Sequence, residues 1–203
     1  MTDVLCLASA SPRRRELLHQ IGVAHCVRVP DVDESLHADE TPEAYVQRLA
    51  LAKAAAVFDA IDAPRAASGA RLPVLAADTT VVVEGAVLGK PAERADFGRM
   101  LRKLSGREHR VLSAVALAHD GGRALRLSIS RVRFRELDDA EIERYWQTGE
   151  PCDKAGGYAI QGYGAVFVTE LVGSYSGVMG LPLHETAGLL IAAGVPLWHA
   201  RTS

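Results

Sequence analysis

The sequence predicts an α/β fold on a mixed sheet, and three observations carry that expectation. Short apolar runs alternate with helical patterns along the chain. Two of the helical patterns open on a hydroxyl residue followed by proline, Ser11-Pro12 and Thr41-Pro42. Two long strand-like segments flank Asp120-Gly121-Gly122, which reads as a hairpin, so the sheet cannot be purely parallel.

Each element follows from its own residues. Val4 to Ala8 is uniformly apolar and reads as a buried strand. Ser11-Pro12 then caps a helix that turns Leu17, Leu18 and Ile21 inward and stops at Gly22. A strand is expected from His25 to Val29, followed by the acidic loop Asp31-Val32-Asp33-Glu34. Thr41-Pro42 opens a long alanine-rich helix to about Ile61, and residues 62–71 read as a polar loop, the best place for a variable insertion. Leu72 to Ala77 is a strand ending at Asp78-Thr79-Thr80, with Val81 to Val83 continuing it or opening a hairpin. A helix over 92–104 precedes strands at 111–118 and 123–134. A helix near 138–147, a glycine-rich segment over 156–164, a strand at 165–171 and a last helix at 182–193 complete the order.

Composition bounds the rest. The chain has 203 residues, 48% hydrophobic and 24% charged, enough for one domain, or one domain with two lobes, to bury a core without staples. A net charge of −2 removes the bulk electrostatic case for a nucleic-acid or membrane-surface protein. No apolar run approaches the roughly 20 residues that span a bilayer. The first arginines follow a short apolar stretch, the reverse of a signal peptide. Cys6, Cys26 and Cys152 are odd in number and share no metal-ligand spacing, which points to the reducing cytoplasm.

Arginine supplies all but four of the 23 cationic residues, so Lys53, Lys90, Lys103 and Lys154 are each worth inspection as compact charges suited to phosphate oxygens. Ser9-Ala10-Ser11-Pro12-Arg13-Arg14-Arg15 places three arginines in a first helical turn, where the dipole already disfavours cations. Either an anion sits at that end, gripped by arginine forks and by the hydroxyls of Ser9 and Ser11, or the arginines face solvent or pair with Glu16. Lys53 shares a helix face with Val46, Leu49 and Val57, so it must snorkel, pair or meet a ligand. Asp78, directly after an apolar strand, is a sharper candidate than the loop acids Asp31, Asp33 and Glu34. Carboxylates near a phosphate site hold Mg²⁺ or Mn²⁺, or take a proton from water. Leu88-Gly89-Lys90-Pro91 presents Lys90 on a tight turn, without the spacing of a Walker loop. In the segment from Asp153 to Gly162 the glycines permit close approach of a ligand, and Gln161 offers a donor and an acceptor to a base edge. His109 is either a ligand or base, or a structural histidine at a strand start. Together these features suggest metal-assisted chemistry on a polyphosphate.

In order along the chain, SASPRR (9–14), DVDE (31–34), TPEAYVQRLALAKA (41–54), ADTTVV (77–82), LGKP (88–91), SGREHRVLSAVAL (105–117), DKAGGYAIQG (153–162) and GSYSGVMGLPL (173–183) resemble the Maf nucleotide pyrophosphatases. The resemblance spans nearly the whole chain, taken as a single domain over 1–203, apart from the 62–71 loop and the termini. It implies an inosine-triphosphatase-like fold, an elongated mixed sheet with flanking helices and two lobes around a nucleotide cleft. The implied reaction is water attack at the α-phosphate of a nucleoside triphosphate, releasing monophosphate and pyrophosphate with a divalent cation. DKAGGYAIQG looks like the branch that cleaves dTTP and UTP. On the matching positions Asp78 would be the proton acceptor and Glu34 a metal or water partner, both as metal ligands. Arg13, Arg14, Lys53 and Lys90 would hold the triphosphate, with Ser9 assisting. Arg13, Thr79 and Gln161 would shape base preference, and Asp153 and Lys154 would support the base-side loop. The departures are Ala10 for a common glycine, Ser113-Ala114 for a frequent Thr-Gly, and Gly177 for a polar residue. The resemblance also suggests a homodimer. The competing class is a nucleotide-sensing regulator of septum formation with little or no catalysis.

Overall fold

A computed structural model describes residues 3–60 and 71–198. A seven-stranded mixed sheet organises them, with helices on both faces. The strands are β1 (Leu5–Ala8), β2 (His25–Arg28), β3 (Val74–Val83), β4 (Ala86–Leu88), β5 (Glu108–His119), β6 (Gly122–Phe134) and β7 (Val168–Val172). Their order is β2-β1-β3-β5-β6-β7, with β4 folded back on β3. β1 runs parallel to β2 and β3, and every other pairing is antiparallel. The helices are α1 (Pro12–Gln20), α2 (Pro42–Ala60), α3 (Arg94–Leu104), α4 (Asp139–Gln147), α5 (Tyr175–Met179) and α6 (Leu183–Ala192).

The fold agrees with the sequence reading in class and element order and differs in detail. The expected strand at 165–171 begins as a tight 3₁₀ turn over Tyr163–Phe167, and only Val168–Val172 pairs with β6. The short helix α5 was not anticipated, since five residues carry no readable periodicity; Ser174 caps it by accepting from the Gly177 N–H. Ser11 does precede α1 but does not cap it through its side chain. Residues 62–70 of the expected loop lie outside the described residues, as does the expected helix end at Ile61.

β3 is the element that builds the cleft. The sequence reading put Asp78 at a strand end, whereas β3 runs unbroken from Val74 to Val83 with Asp78 inside it. Its ladder with β1 reaches Leu75, and its ladder with β4 starts at Val81. Between them, residues 76–80 pair with β5 along one edge while the other edge faces a gap where β1 has turned into Ser9. Strand alternation then sorts the side chains at that gap. Val74, Ala76 and Val82 pack against α2 through Val46, Ala50, Ala54 and Val57, so Asp78 and Thr80 point toward α2. Leu75 and Ala77 pack with Leu17 and Leu18 of α1 and Leu189 and Leu190 of α6, so Thr79 points to the opposite face. The far half of the sheet closes over a third cluster built on Phe97, Leu101, Leu104, Phe134 and Tyr145, beneath the glycine-rich segment.

That segment shows where glycine is required. Gly156 and Gly157 both have positive φ, 70° and 72°. A Cβ on Gly156 would lie 2.9 Å from Val81, and one on Gly157 would lie 2.9 Å from Phe97. The backbone therefore lies directly on the core, and the Gly156 N–H donates to the Gly89 carbonyl at 2.9 Å, tying the segment to the Lys90 turn.

Candidate active site

A cleft of about 540 Å³ opens at the gap beside β3. It gathers residues from distant parts of the chain: Ser9, Arg13 and Arg14 from the start of α1, Glu34 from the acidic loop, Lys53 from α2, Asp78 and Thr79 from β3, and Lys90 and Asp153 from two turns.

On the α2 face sits a compact ionic cluster. Lys53 lies in the buried stripe of α2, as its spacing indicated, and is only 6% exposed. Of the three fates open to it, the structure selects pairing. Its Nζ donates to Asp78 Oδ1 at 2.7 Å and lies 2.8 Å from Glu34 Oε1. Two carboxylates thus converge on one ammonium, whose remaining proton is left for the cleft. Burial pushes the Asp78 carboxyl above its ordinary value, against the pull of Lys53 and Arg14. Glu34 is half open to water; burial raises it, and the stronger combined action of Lys53, Lys90 and Arg14 leaves it below the usual carboxylate value.

The loop that delivers Glu34 is itself held. Tyr45 Oη donates to the Glu34 carbonyl at 2.9 Å, and Arg48 Nη2 donates to the Ser35 carbonyl at 2.9 Å. Arg48 also grips Glu40 through both fork nitrogens, each at 2.7 Å. Asp33 folds onto Ser35 instead, taking its N–H at 2.8 Å and its hydroxyl at 3.0 Å, so it and the exposed Asp31 stay outside the cleft lining. Sequence reasoning missed Tyr45, although Tyr45, Leu49 and Lys53 follow at four-residue intervals on one helix face.

On the α1 face the three arginines separate. Arg15 is exposed. Arg14 turns inward: its Nε donates to the Gly180 carbonyl at 2.8 Å, and its Nη atoms approach Ser9 Oγ at 3.3 Å and Thr79 Oγ1 at 3.5 Å. Ser9 Oγ also accepts from the Ser11 N–H at 3.1 Å, so its own proton remains available to an anion in the cleft. Arg13 pairs with Asp153 at 3.2 Å across the cleft mouth. An anion placed here meets a helix N-terminus, two arginine forks, a hydroxyl and the exposed Lys90.

Lys154 and Gln161 are not brought into the cleft lining either. Lys154 Nζ is engaged behind it, donating to the Glu150 carbonyl at 2.9 Å and pairing with Asp153. Gln161 is exposed on the turn that follows Ile160. That turn is set by Glu150, which accepts from Tyr145 Oη at 2.6 Å, from the Tyr163 N–H at 2.9 Å and from the Gly164 N–H at 3.0 Å. His109 is a structural histidine: 2% exposed, it meets Tyr158 Oη at 2.8 Å and lies edge-on to Phe134.

Among the described residues no group of three or more His, Cys, Asp or Glu side chains could hold a metal. The pair Glu34 and Asp78 nevertheless fits a hard divalent cation of the Mg²⁺ type. Such ions take one or two protein carboxylates and complete their shell with substrate phosphates and water. No helix of the described residues is long and apolar enough to cross a membrane.

Comparison with known proteins identifies the family. Residues 4–193 match the family described as Maf-like protein. A protein of Alkalilimnicola ehrlichii named dTTP/UTP pyrophosphatase is 59% identical over 186 residues, covering 91% of this chain and 90% of its own length. Proteins of the same name from Bordetella parapertussis and Saccharophagus degradans are 55% and 54% identical, covering 94% and 96% of this chain and 93% and 90% of their own lengths. With a family match over nearly all of its length and relatives above half identity, the chain belongs to the Maf-like protein family.

Proposed function

We propose that this chain hydrolyses the α–β phosphoanhydride of dTTP and UTP, and of modified pyrimidine triphosphates, to the monophosphate and pyrophosphate. The observation that carries the reading is the placement of buried Asp78, held by Lys53 beside Glu34, at the wall of a cleft whose other side is a cationic helix N-terminus. The names of the relatives support the substrate class.

Asp78 takes the proton of the attacking water, its carboxylate oriented by the Lys53 ammonium. Glu34 and Asp78 would hold a divalent cation, Mg²⁺ or Mn²⁺, which would supply charge neutralisation for the phosphates. Arg13, Arg14, Lys90 and the Ser9 hydroxyl hold the triphosphate and stabilise charge as it moves to the leaving pyrophosphate. The third proton of Lys53 contributes to the same grip. Arg13 must exchange Asp153 for a ligand to do so, which couples the 153–154 turn to nucleotide entry. Thr79 borders the base side. Lys154 acts indirectly by holding Asp153. The reading places the protein in the cytoplasm, in keeping with three free cysteines. It treats 1–203 as one domain and carries forward a homodimer, which solution mass tests.

The deciding assay presents dTTP, UTP, CTP, GTP and 7-methyl-GTP to the purified protein with Mg²⁺ or Mn²⁺. Phosphate is read with and without added inorganic pyrophosphatase. Signal from dTTP and UTP only with the auxiliary enzyme is the expected result. Direct orthophosphate release overturns it, and bound triphosphate recovered intact favours a nucleotide sensor.

A further inference from the structure

We propose that Ser113 is a positioning residue that fixes the hydrogen-bond polarity of Thr79, so that the cleft wall at Thr79 accepts from a ligand and does not donate to it. Taking that ligand to be a pyrimidine nucleotide rests on the function proposed above.

The argument is a proton inventory. Ser113 sits on β5 directly opposite Thr79 in the antiparallel ladder, 1% exposed. Its Oγ lies 2.6 Å from the Gly177 carbonyl oxygen and 2.9 Å from Thr79 Oγ1. A carbonyl only accepts, and two oxygens 2.6 Å apart with no proton between them repel, so the single Ser113 proton goes to Gly177. Ser113 must therefore accept at its other contact, and Thr79 must donate there. The competing acceptor for the Thr79 proton is the Gly180 carbonyl, at a longer 3.4 Å. Donating to Gly180 would leave the Thr79 and Ser113 oxygens facing each other at 2.9 Å with lone pairs alone.

Thr79 thus lines the cleft with its Oγ1 proton directed into the sheet, which leaves two lone pairs on that oxygen. One of them faces Arg14 Nη2 at 3.5 Å. A ligand group that bonds to this oxygen has to bring its own hydrogen. A phosphate oxygen cannot. Among pyrimidines, uracil and thymine carry an imide N3–H, whereas cytosine has a bare N3 at the same place. With N3 of the base set against Thr79 Oγ1, the chain Gly177–Ser113–Thr79 favours the imide bases and leaves the cytosine N3 facing lone pair with lone pair.

The test is the ratio of kcat/KM for UTP to that for CTP, by pyrophosphate release. Ser113→Ala frees the Thr79 proton, so Thr79 can then donate as well as accept. The expected result is a gain: CTP rises about tenfold relative to UTP, one neutral hydrogen bond's worth of discrimination, while UTP itself changes little. Ser113→Thr retains the hydroxyl and the wild-type ratio. Thr79→Val collapses the ratio from the other side, by loss of UTP turnover with CTP unmoved. An unchanged ratio in Ser113→Ala, or a parallel fall for both nucleotides, overturns the proposal, because a residue that only packs α5 against the sheet lowers both together. If Ser113→Ala does not fold, Thr79→Val decides: equal effects on the two nucleotides overturn the proposal. If the wild type releases no pyrophosphate from UTP, the proposed activity has failed, and the ratio of UTP to CTP dissociation constants across the same variants judges the role of Ser113.

Discussion

Two of the buried polar clusters among the described residues differ in almost everything except burial. Lys53 and Asp78 are 6% and 7% exposed; His109 and Tyr158 are 2% and 6%. The first pair is ionic, is joined by a third charge from Glu34, and borders the cleft at a gap in the sheet. The second is a single contact enclosed by Phe134, and the far nitrogen of the imidazole, Nδ1, has no partner among the described residues. Burial therefore does not mark a site by itself. What separates the clusters is that one keeps its charges where a ligand can reach them, and the other has given up charge altogether.

The largest effect that sharpens this contrast belongs to Asp78→Asn. The amide keeps the shape and can still accept from Lys53, so the fold and nucleotide binding should persist. It cannot take a proton from water, and turnover should fall by at least about 10²-fold. Steady-state rates beside nucleotide titrations check this, and near-normal turnover in a folded variant removes Asp78 from catalysis. Next comes Lys53→Met, which keeps the apolar stem and deletes the ammonium. Asp78 is then left buried without its cation. Unfolding free energy should fall by about 3 kcal/mol, the low end for breaking a buried pair because Glu34 is half open to water. Nucleotide affinity should drop at least tenfold. A variant as stable as wild type in urea would mean that the cluster is less buried than its geometry indicates.

Much of this contrast was legible in the sequence. The spacing of Val46, Leu49, Lys53 and Val57 already placed a lysine on an apolar stripe, because helical periodicity is local. The position of Asp78 after a run of apolar residues marked it as unusual for the same reason. The partner choices were not legible. That Lys53 meets Asp78 follows from strand alternation across β3, but which face of β3 looks at α2 is settled by the packing of the whole sheet. Asp78 reads as a strand end because Asp is depleted in strands; pairing with β5 through nine registered positions overrides it. Gln161 shows the limit of motif reading: its side-chain chemistry suits a base edge, yet its exposure is fixed by the distant Glu150, which gathers the backbone around it. Cys6 and Cys26, unremarkable by spacing, are register neighbours on β1 and β2, a relation that only a parallel crossover creates.

The smallest catalytic effect, and the one that tests the other half of the comparison, is expected from His109→Gln. Burial pulls the His109 imidazole down to about 4, from an ordinary 6.5. Above 6.5 the side chain is neutral in both folded and unfolded chains and titration contributes nothing to pH dependence. As pH falls from 6.5 toward 4, the unfolded chain binds a proton that the folded chain refuses, so stability is lost across that window. The full loss is about 3 kcal/mol, from the size of the displacement. Glutamine cannot titrate, so the urea midpoint of His109→Gln should change less between pH 7 and pH 4.5 than that of the wild type. The comparison is between slopes, because the substitution also costs packing against Phe134 at every pH. Turnover at pH 7.5 should stay within about twofold, since His109 does not line the cleft. Equal slopes would mean that the folded protein takes up the His109 proton as readily as the unfolded chain does. A tenfold loss of turnover would join the two clusters into one site and erase the distinction between them.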